Sequence, residues 1–142
     1  MRRMLLAVGL LLAVSLLCGC SSAVPRSADE PQAAKVVAMG FHSFNPPEVT
    51  ITVGQTIEWQ NDSIIWHTVT CDPSLAKRPQ DVVLPQGAQS FNSGQVDPGH
   101  RYYHLFTVPG TYRYFCEPHE LSGMIGEVIV TAAAERSRTS GK

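Results

Sequence analysis

Apolar and polar residues alternate along the middle of the chain, and this pattern predicts β-strands. Positions 48–53 place valine and isoleucine on one face and threonine on the other. Positions 56–61 repeat the pattern with Ile57 and Trp59 on the apolar face, and Gly54 begins the turn between the two segments. Similar patterns predict further strands at 35–39, 68–71, 101–107, 111–116 and 126–131.

Turn signals separate these segments, for example Asp97-Pro98-Gly99 and Pro109-Gly110. The stretch 72–90 is irregular, and Asp72 followed by Pro73 is typical of a single helical turn there. No internal repeat is present. Several short strands joined by Gly/Pro turns predict an all-β sandwich or barrel.

The first residues have a different character from the rest. Arg2 and Arg3 precede an apolar run over 4–17, which has the length of a signal peptide and is too short to span a bilayer comfortably. The run leads into Leu17-Cys18-Gly19-Cys20, which resembles a bacterial lipoprotein cleavage site with Cys20 as the lipidated residue. Cleavage before Cys18 would put the bulky Leu17 where small residues are expected. Plain secretion with an unmodified cysteine is the alternative.

These features divide the chain into four parts. We expect a lipoprotein-type signal peptide at 1–19 and, at 20–34, a lipidated N-terminus with a flexible linker of small, polar and proline residues. A single globular domain is expected at 35–132, followed by a polar tail at 133–142. The protein is therefore expected to be exported and to lie in the periplasm or on the cell surface, attached to a membrane through lipid.

Length and charge restrict the possible functions. The 142 residues suffice for one domain and leave no room for a second, catalytic one. Eleven basic residues against twelve acidic ones give a net charge of -1, and no run of like charge occurs. This balance argues against a nucleic-acid partner. We expect a monomer.

The candidate chemistry follows the strand at 111–116, where the sequence reads Cys-x2-His-x4-Met. Tyr112, Tyr114 and Cys116 alternate toward one face, so a core position for the tyrosines directs the thiol inward at the end of the strand. The loop that follows can bring His119 and Met124 to the same point. A second imidazole must come from elsewhere, and His67, just before another predicted strand, is the candidate.

Two histidines and a cysteine with a weak axial methionine form a blue-copper site. With His67-Thr68-Val69 and Pro109-Gly110-Thr111-Tyr112, the Cys-x2-His-x4-Met loop makes nearly all of 35–132 resemble the plastocyanin-like cupredoxins. The resemblance implies a Greek-key β-sandwich of about eight strands that carries single electrons between redox proteins or complexes. It also implies one copper, Cu(I) or Cu(II), per chain, bound by His67, Cys116, His119 and Met124.

The sequence departs from these relatives at two positions. Thr68 stands where many of them have an asparagine that joins the two ligand loops, and its hydroxyl can do part of that work. Phe115 precedes the cysteine where plant plastocyanins carry a tyrosine, and their acidic partner surface is absent from the sequence. The resemblance therefore implies electron transfer but does not identify photosynthetic partners.

Apolar residues flank both imidazoles. Trp66, Pro118 and Leu121, together with the isoleucine pair at 64–65, form either a docking surface for redox partners or part of the core. Glu117 and Glu120 border His119, and they either add negative charge next to an exposed ligand or are simply two solvated carboxylates. The remaining histidines, at 42, 100 and 104, have no partner at ligand spacing and are expected to be ordinary polar residues.

Other functions remain open at this point. Cys116 can instead be a structural thiol or form a disulfide with Cys71, and zinc can occupy the same ligands. A copper-delivery protein is the main alternative, although such proteins are often rich in methionine and this domain contains only Met39 and Met124. We expect no enzymatic activity, because a cysteine hydrolase needs an oxyanion hole and a copper oxidase or nitrite reductase needs a second metal site.

Overall fold

A computed structural model describes residues 29–134 of the chain. The predicted signal peptide, the predicted lipidation site Cys20, most of the predicted linker and most of the polar tail lie outside the described residues. Within this part of the chain there are nine strands, in the order β1 Lys35–Met39, β2 Phe44–Asn45, β3 Glu48–Thr52, β4 Thr56–Asn61, β5 Thr70–Cys71, β6 Phe91–Asn92, β7 Arg101–Leu105, β8 Gly110–Phe115 and β9 Ile125–Thr131. Two short 3-10 helices cover Pro79–Asp81 and Glu117–Ser122.

The strands form two mixed sheets that make a β-sandwich. One sheet has the order β2-β1-β4-β7 and the other β3-β9-β8-β5-β6. The β1/β4 and β3/β9 pairs are parallel, and the other pairs are antiparallel. The all-β fold class predicted from the sequence is therefore confirmed, with nine strands in place of about eight. In residues 29–134, no helix is long and apolar enough to cross a membrane.

The predicted alternation matches the burial along β3, whereas in β4 Glu58 is buried as well as its two apolar neighbours. Val49 and Ile51 of β3 and Ile57 and Trp59 of β4 are buried. The Trp59 ring meets the Tyr114 ring edge-on, with 5.3 Å between centroids, so that a β4 side chain of one sheet packs on a β8 side chain of the other. The core is thus built from the inward faces of both sheets.

Three details differ from the sequence-based expectations. The two-residue strands β2 and β6 were not predicted. In the irregular stretch, Asp72 accepts backbone and side-chain hydrogen bonds from Ser74, which makes a turn, while the 3-10 helix lies further on at Pro79–Asp81. The predicted strand at 68–71 is shorter, because only Thr70 and Cys71 pair with neighbouring strands.

The strand ends position the candidate ligands. Strand β8 ends at Phe115, and the second 3-10 helix begins directly after Cys116. That helix ends at Ser122 and is followed by Gly123, whose φ of 82° lies in the left-handed region that favours glycine. The chain then returns into β9 after Met124. The predicted loop that brings these residues back toward the end of β8 is present.

Candidate metal centre

Three of the predicted ligands converge at one end of the sandwich. The Sγ atom of Cys116 lies 3.5 Å from Nδ1 of His67 and 3.4 Å from Nδ1 of His119. One potential ligand atom from each residue lies within 4.8 Å of the others, and this is the one group of three or more His, Cys, Asp or Glu residues at such distances within residues 29–134. A thiolate and two imidazole nitrogens can therefore bind a single ion.

The fit is consistent with metal–ligand chemistry. Imidazole and thiolate ligands bind zinc at about 2.0–2.3 Å, so two ligands of a common ion lie roughly 3.3–3.7 Å apart. The two Sγ to Nδ1 distances fall in that range. Soft sulfur together with imidazole suits copper in both of its oxidation states as well as zinc. The donor set thus accommodates the metal that the sequence predicts.

Met124 belongs to the same loop as Cys116 and His119. Its side chain is fully buried, and its backbone joins it to both residues. The N–H of Met124 donates to the carbonyl of His119 at 3.1 Å, and the N–H of Cys116 donates to the carbonyl of Met124 at 3.1 Å. The N–H of His119 donates in turn to the carbonyl of Cys116 at 3.0 Å. These hydrogen bonds tie three predicted ligands into one short segment of chain.

Ser63 orients the ring of His67. Its Oγ lies 2.9 Å from Nε2 of His67, so an Nε2–H donor leaves the Nδ1 lone pair directed toward Cys116. Ser63 is held by Asn61, whose Oδ1 accepts from the Ser63 backbone N–H at 3.0 Å. The Asn61 amide also donates to the carbonyls of Ile65 and Val96. Neither Ser63 nor Asn61 was expected to act at the site, although an asparagine at a strand end is a known organiser of turns.

Burial governs the protonation of the two imidazoles. Desolvation, and then the neighbouring His119 and His42 rings, lower the pKa of His67 to about 4. Desolvation and then His42 also lower the pKa of His119. Both rings are therefore neutral at neutral pH, as metal binding requires.

Thr68 contacts the site through its backbone and its side chain. Its N–H donates to Sγ of Cys116 at 3.3 Å, which favours the negatively charged thiolate, while burial raises the pKa of the Cys116 thiol. Its hydroxyl accepts from the N–H of Glu117 at 2.8 Å. The hydroxyl therefore joins the two ligand loops, as expected from the sequence.

The alternative that Glu117 and Glu120 are two solvated carboxylates is wrong for Glu120. The Glu117 carboxylate is partly buried and accepts from Thr70 at 3.0 Å and from Asn92 at 2.7 Å. Glu120 is fully buried, and its carboxylate accepts from the backbone N–H groups of Lys77 and Arg78. These partners lie more than forty positions away in the sequence.

The predicted docking residues are exposed. The side chains of Ile64, Leu121 and Trp66 are 84%, 64% and 43% exposed, respectively. Pro118 is also exposed. A groove of about 400 Å³ runs next to the partly exposed His119, lined by Ile64, Ile65, Trp66, Asp97, Pro98 and Pro118. The alternative that these side chains belong to the core is therefore excluded for Ile64, Trp66 and Leu121.

One further histidine lies beside the site. The ring of His42, in the loop between β1 and β2, has its centroid 4.7 Å from that of His119. His42 is exposed, as expected, but it contacts a predicted ligand, which the spacing of histidines in the sequence did not indicate. Cys71 and Cys116 are both free thiols, so they do not form the disulfide considered above.

Comparisons with known proteins identify the family. Residues 32–131 match the family described as copper binding proteins, plastocyanin/azurin family. The chain is 37% identical over 91 residues to the plastocyanin of Scenedesmus fuscus, covering 61% of this chain and 85% of that protein. Several other plastocyanins match over little more than half of their own length, 56% in the case of the chloroplast protein of Oryza sativa subsp. indica.

Solved structures give the same result. The crystal structure of amicyanin from Paracoccus versutus matches with a TM-score of 0.55 at 31% identity, over 73% of this chain and 87% of that chain. A copper-containing nitrite reductase from Thermus scotoductus matches with a TM-score of 0.57 at 29% identity, but over only 25% of its own chain. The fold, the converging donor set and the family match agree, and the chain belongs to the plastocyanin/azurin family of copper-binding proteins.

Proposed function

We propose that this protein is a type 1 (blue) copper protein that carries single electrons between redox partners. The observation that carries the proposal is the convergence of the Cys116 thiol with the imidazoles of His67 and His119, with the buried Met124 in the same loop. This is the ligand set of blue-copper electron-transfer sites. Copper bound there supplies a change of one electron between Cu(I) and Cu(II).

The surroundings of the donors support electron transfer because they fix the donor positions. The Thr68 N–H donates to the sulfur, Ser63 holds the ring of His67, and the backbone of Met124 is bonded to both neighbouring ligands. Each of these contacts is made by the protein alone. A site that is already held in place needs little rearrangement when its charge changes.

His119 is the proposed route for electrons. His67 is fully buried, whereas His119 is partly exposed and borders the groove next to Trp66 and Pro118. Exposed apolar patches on soluble proteins commonly mark interaction surfaces. We therefore retain Trp66, Pro118 and Leu121 as the proposed docking surface.

The proposed location is the periplasm or the cell surface, with the domain attached to a membrane through lipid. Support comes from the sequence alone, namely the signal-peptide pattern at 1–19 and the predicted lipidation of Cys20. A flexible linker at 20–34 would let the domain reach membrane-associated redox complexes. The partners that fit this arrangement are redox proteins or complexes that act as electron donor and acceptor.

Redox cycling of the full chain, purified in detergent and loaded with Cu(II), tests the proposal. Ascorbate should reduce one copper per chain by one electron, ferricyanide should restore it, and the copper should remain bound in the presence of a Cu(I) chelator. Loss of the metal to the chelator after each reduction would instead support copper delivery and contradict electron transfer.

Electron self-exchange between two copies tests the docking surface without a known partner. Leu121→Ser should slow self-exchange of the copper-loaded chain, because two patches must meet for the electron to pass between them. Leu105→Ser is the matched control, since Leu105 is 51% exposed but lies opposite Thr56, at the far end of the β4/β7 pair from Asn61. Equal rates in both variants would remove Leu121 from the docking surface.

A further inference from the structure

A fully buried carboxylate lies directly next to the partly exposed His119. Oε1 of Glu120 accepts from the N–H of Arg78 at 2.8 Å, and Oε2 accepts from the N–H of Lys77 at 3.0 Å. Burying a carboxylate is costly unless hydrogen bonds replace its water, and here two backbone donors do so. The two donors belong to consecutive residues, so the carboxylate binds the chain at 77–78 with both oxygens.

The same two residues also hold the ligand loop through their side chains. The Arg78 guanidinium donates to the carbonyl of Glu120 at 2.9 Å, and Nζ of Lys77 donates to the carbonyl of Glu117 at 2.9 Å. Arg78 is itself fixed by Asp81, with Nε to Oδ2 at 2.6 Å. We call residues 77–78 the strap. Four hydrogen bonds therefore join the strap to residues on both sides of His119.

These contacts are made to the short helix that carries the predicted ligand His119. Glu117 and Glu120 are the first and fourth residues of the 3-10 helix that carries His119. The same segment is also bonded to Thr68, whose hydroxyl accepts from the Glu117 N–H. The backbone on either side of His119 is thus restrained by two groups far away in sequence.

We propose that Glu120 is a positioning residue for the copper site, which holds the His119 ring in its binding orientation through the strap. The inference rests on the proposed function, because it assigns the residue that fixes the most exposed of the proposed ligands. Residues that orient metal ligands commonly change metal affinity by about 10–100-fold when they are removed. A carboxylate that merely anchors the loop at 72–90 would instead affect stability alone.

Glu120→Gln tests the proposal with little change in shape. The glutamine amide can accept from one strap N–H but faces the other with a donor, so one side of the contact is lost. Arg113→Gln is the matched control, because the Arg113 guanidinium donates to the carbonyl of Gln80 at 3.1 Å and anchors the same loop without touching the ligand segment. Histidine side-chain NMR of the metal-free and Cu(I)-loaded full chain, together with copper affinity, provides the readouts.

We expect E120Q to broaden or shift the ring signals of His119 but not those of His67, and to lower copper affinity about tenfold. R113Q should leave both unchanged, even if it lowers the stability of the chain. Ring signals and affinity of E120Q equal to those of the unmodified chain, with only stability reduced, would overturn the proposal.

A second variant decides the matter if E120Q does not fold. Arg78→Gln removes the guanidinium contact to the Glu120 carbonyl and leaves the buried carboxylate paired. It should change the His119 signals in the same direction but less, and unchanged signals would overturn the proposal. Failure of the proposed function gives a different result, namely an unmodified chain without a blue, reversibly reducible copper.

Discussion

The surroundings of Cys71 and Cys116 show why only one of two buried thiols is suited to bind a metal. Both side chains are fully buried. Cys71 lies in β5 and Cys116 directly follows the neighbouring strand β8, since Thr70 of β5 pairs with Phe115 of β8. Sγ of Cys71 lies 3.3 Å from the carbonyl of Val83 and 3.4 Å from that of Arg113. A sulfur between two acceptors must keep its proton in order to donate it.

Cys116 has the opposite environment. Its sulfur accepts from the Thr68 N–H and faces a nitrogen of each imidazole, His67 and His119. A thiolate is the form that binds metals, and donors around the sulfur favour it. Burial therefore does not distinguish a ligand from a structural cysteine, whereas the polarity of the groups that face the sulfur does.

The largest expected effect comes from exchanging each cysteine in turn. Cys116→Ala should abolish the blue absorption of the Cu(II)-loaded chain, because within residues 29–134 Cys116 is the cysteine that lies with His67 and His119. Cys71→Ala should leave the band intact and cost about 1 kcal/mol of unfolding free energy through lost packing. Visible spectra and urea unfolding of the two variants provide the check, and a colourless Cys71→Ala variant with a native fold would refute the assignment.

A smaller effect is expected from Ser63, which holds the His67 ring at Nε2 while Nδ1 of that ring faces Cys116. Ser63→Ala removes a hydrogen-bond partner of Nε2 of His67, so the ring is held less firmly although its contact with the Gly40 backbone remains. Copper affinity should fall about tenfold. Competition with a chelator of known affinity measures the change, and Ser74→Ala, on an exposed turn, is a matched control. An affinity unchanged in S63A would mean that the loop alone orients His67.

The hydroxyl of Thr68 is expected to matter for stability more than for binding. Thr68→Val keeps the shape and the backbone N–H that donates to Cys116, but it leaves the N–H of Glu117 without its acceptor. We expect a loss of about 1–3 kcal/mol in unfolding free energy, with the blue band retained. Thr68→Ser should recover most of the loss in denaturant unfolding. A colourless T68V would show that the hydroxyl bears on the copper itself.

The smallest expected effect comes from the titration of the Cys71 thiol, which changes the stability of the chain only in alkali. Burial, and then Asp72, raise the pKa of Cys71 from 9.0 to about 12. The unfolded chain releases this proton near pH 9 whereas the folded chain retains it, so the thiol's contribution to stability is lost as the pH rises from 9 to 12. Unfolding of the metal-free chain should depend less steeply on pH in Cys71→Ala. Equal slopes would contradict the raised pKa.

Much of the site could be predicted because its signals are local. Cys116, His119 and Met124 lie in one short segment, and their spacing alone suggests that they meet. The strands β1 and β4 begin and end where the alternation predicts. Thr68 was identified because it occupies a position next to a predicted ligand.

The rest depends on contacts between distant parts of the chain. Strand β6 forms because Phe91 pairs with Cys71, and a two-residue strand has no pattern of its own. The burial of Glu120 could not be predicted from the sequence, because its partners, Lys77 and Arg78, are brought to it only by the packing of the irregular loop. The contact between His42 and His119 likewise arises where two loops meet.

The visible and electron-spin-resonance spectrum of the Cu(II)-loaded full chain tests the central claim most directly. A thiolate of Cys116 bound to copper predicts an intense blue charge-transfer band, one copper per chain, that bleaches with ascorbate and returns on oxidation. A pale spectrum with the copper held by nitrogen and oxygen alone would contradict the account, because the sulfur between the two imidazoles would then not be a ligand.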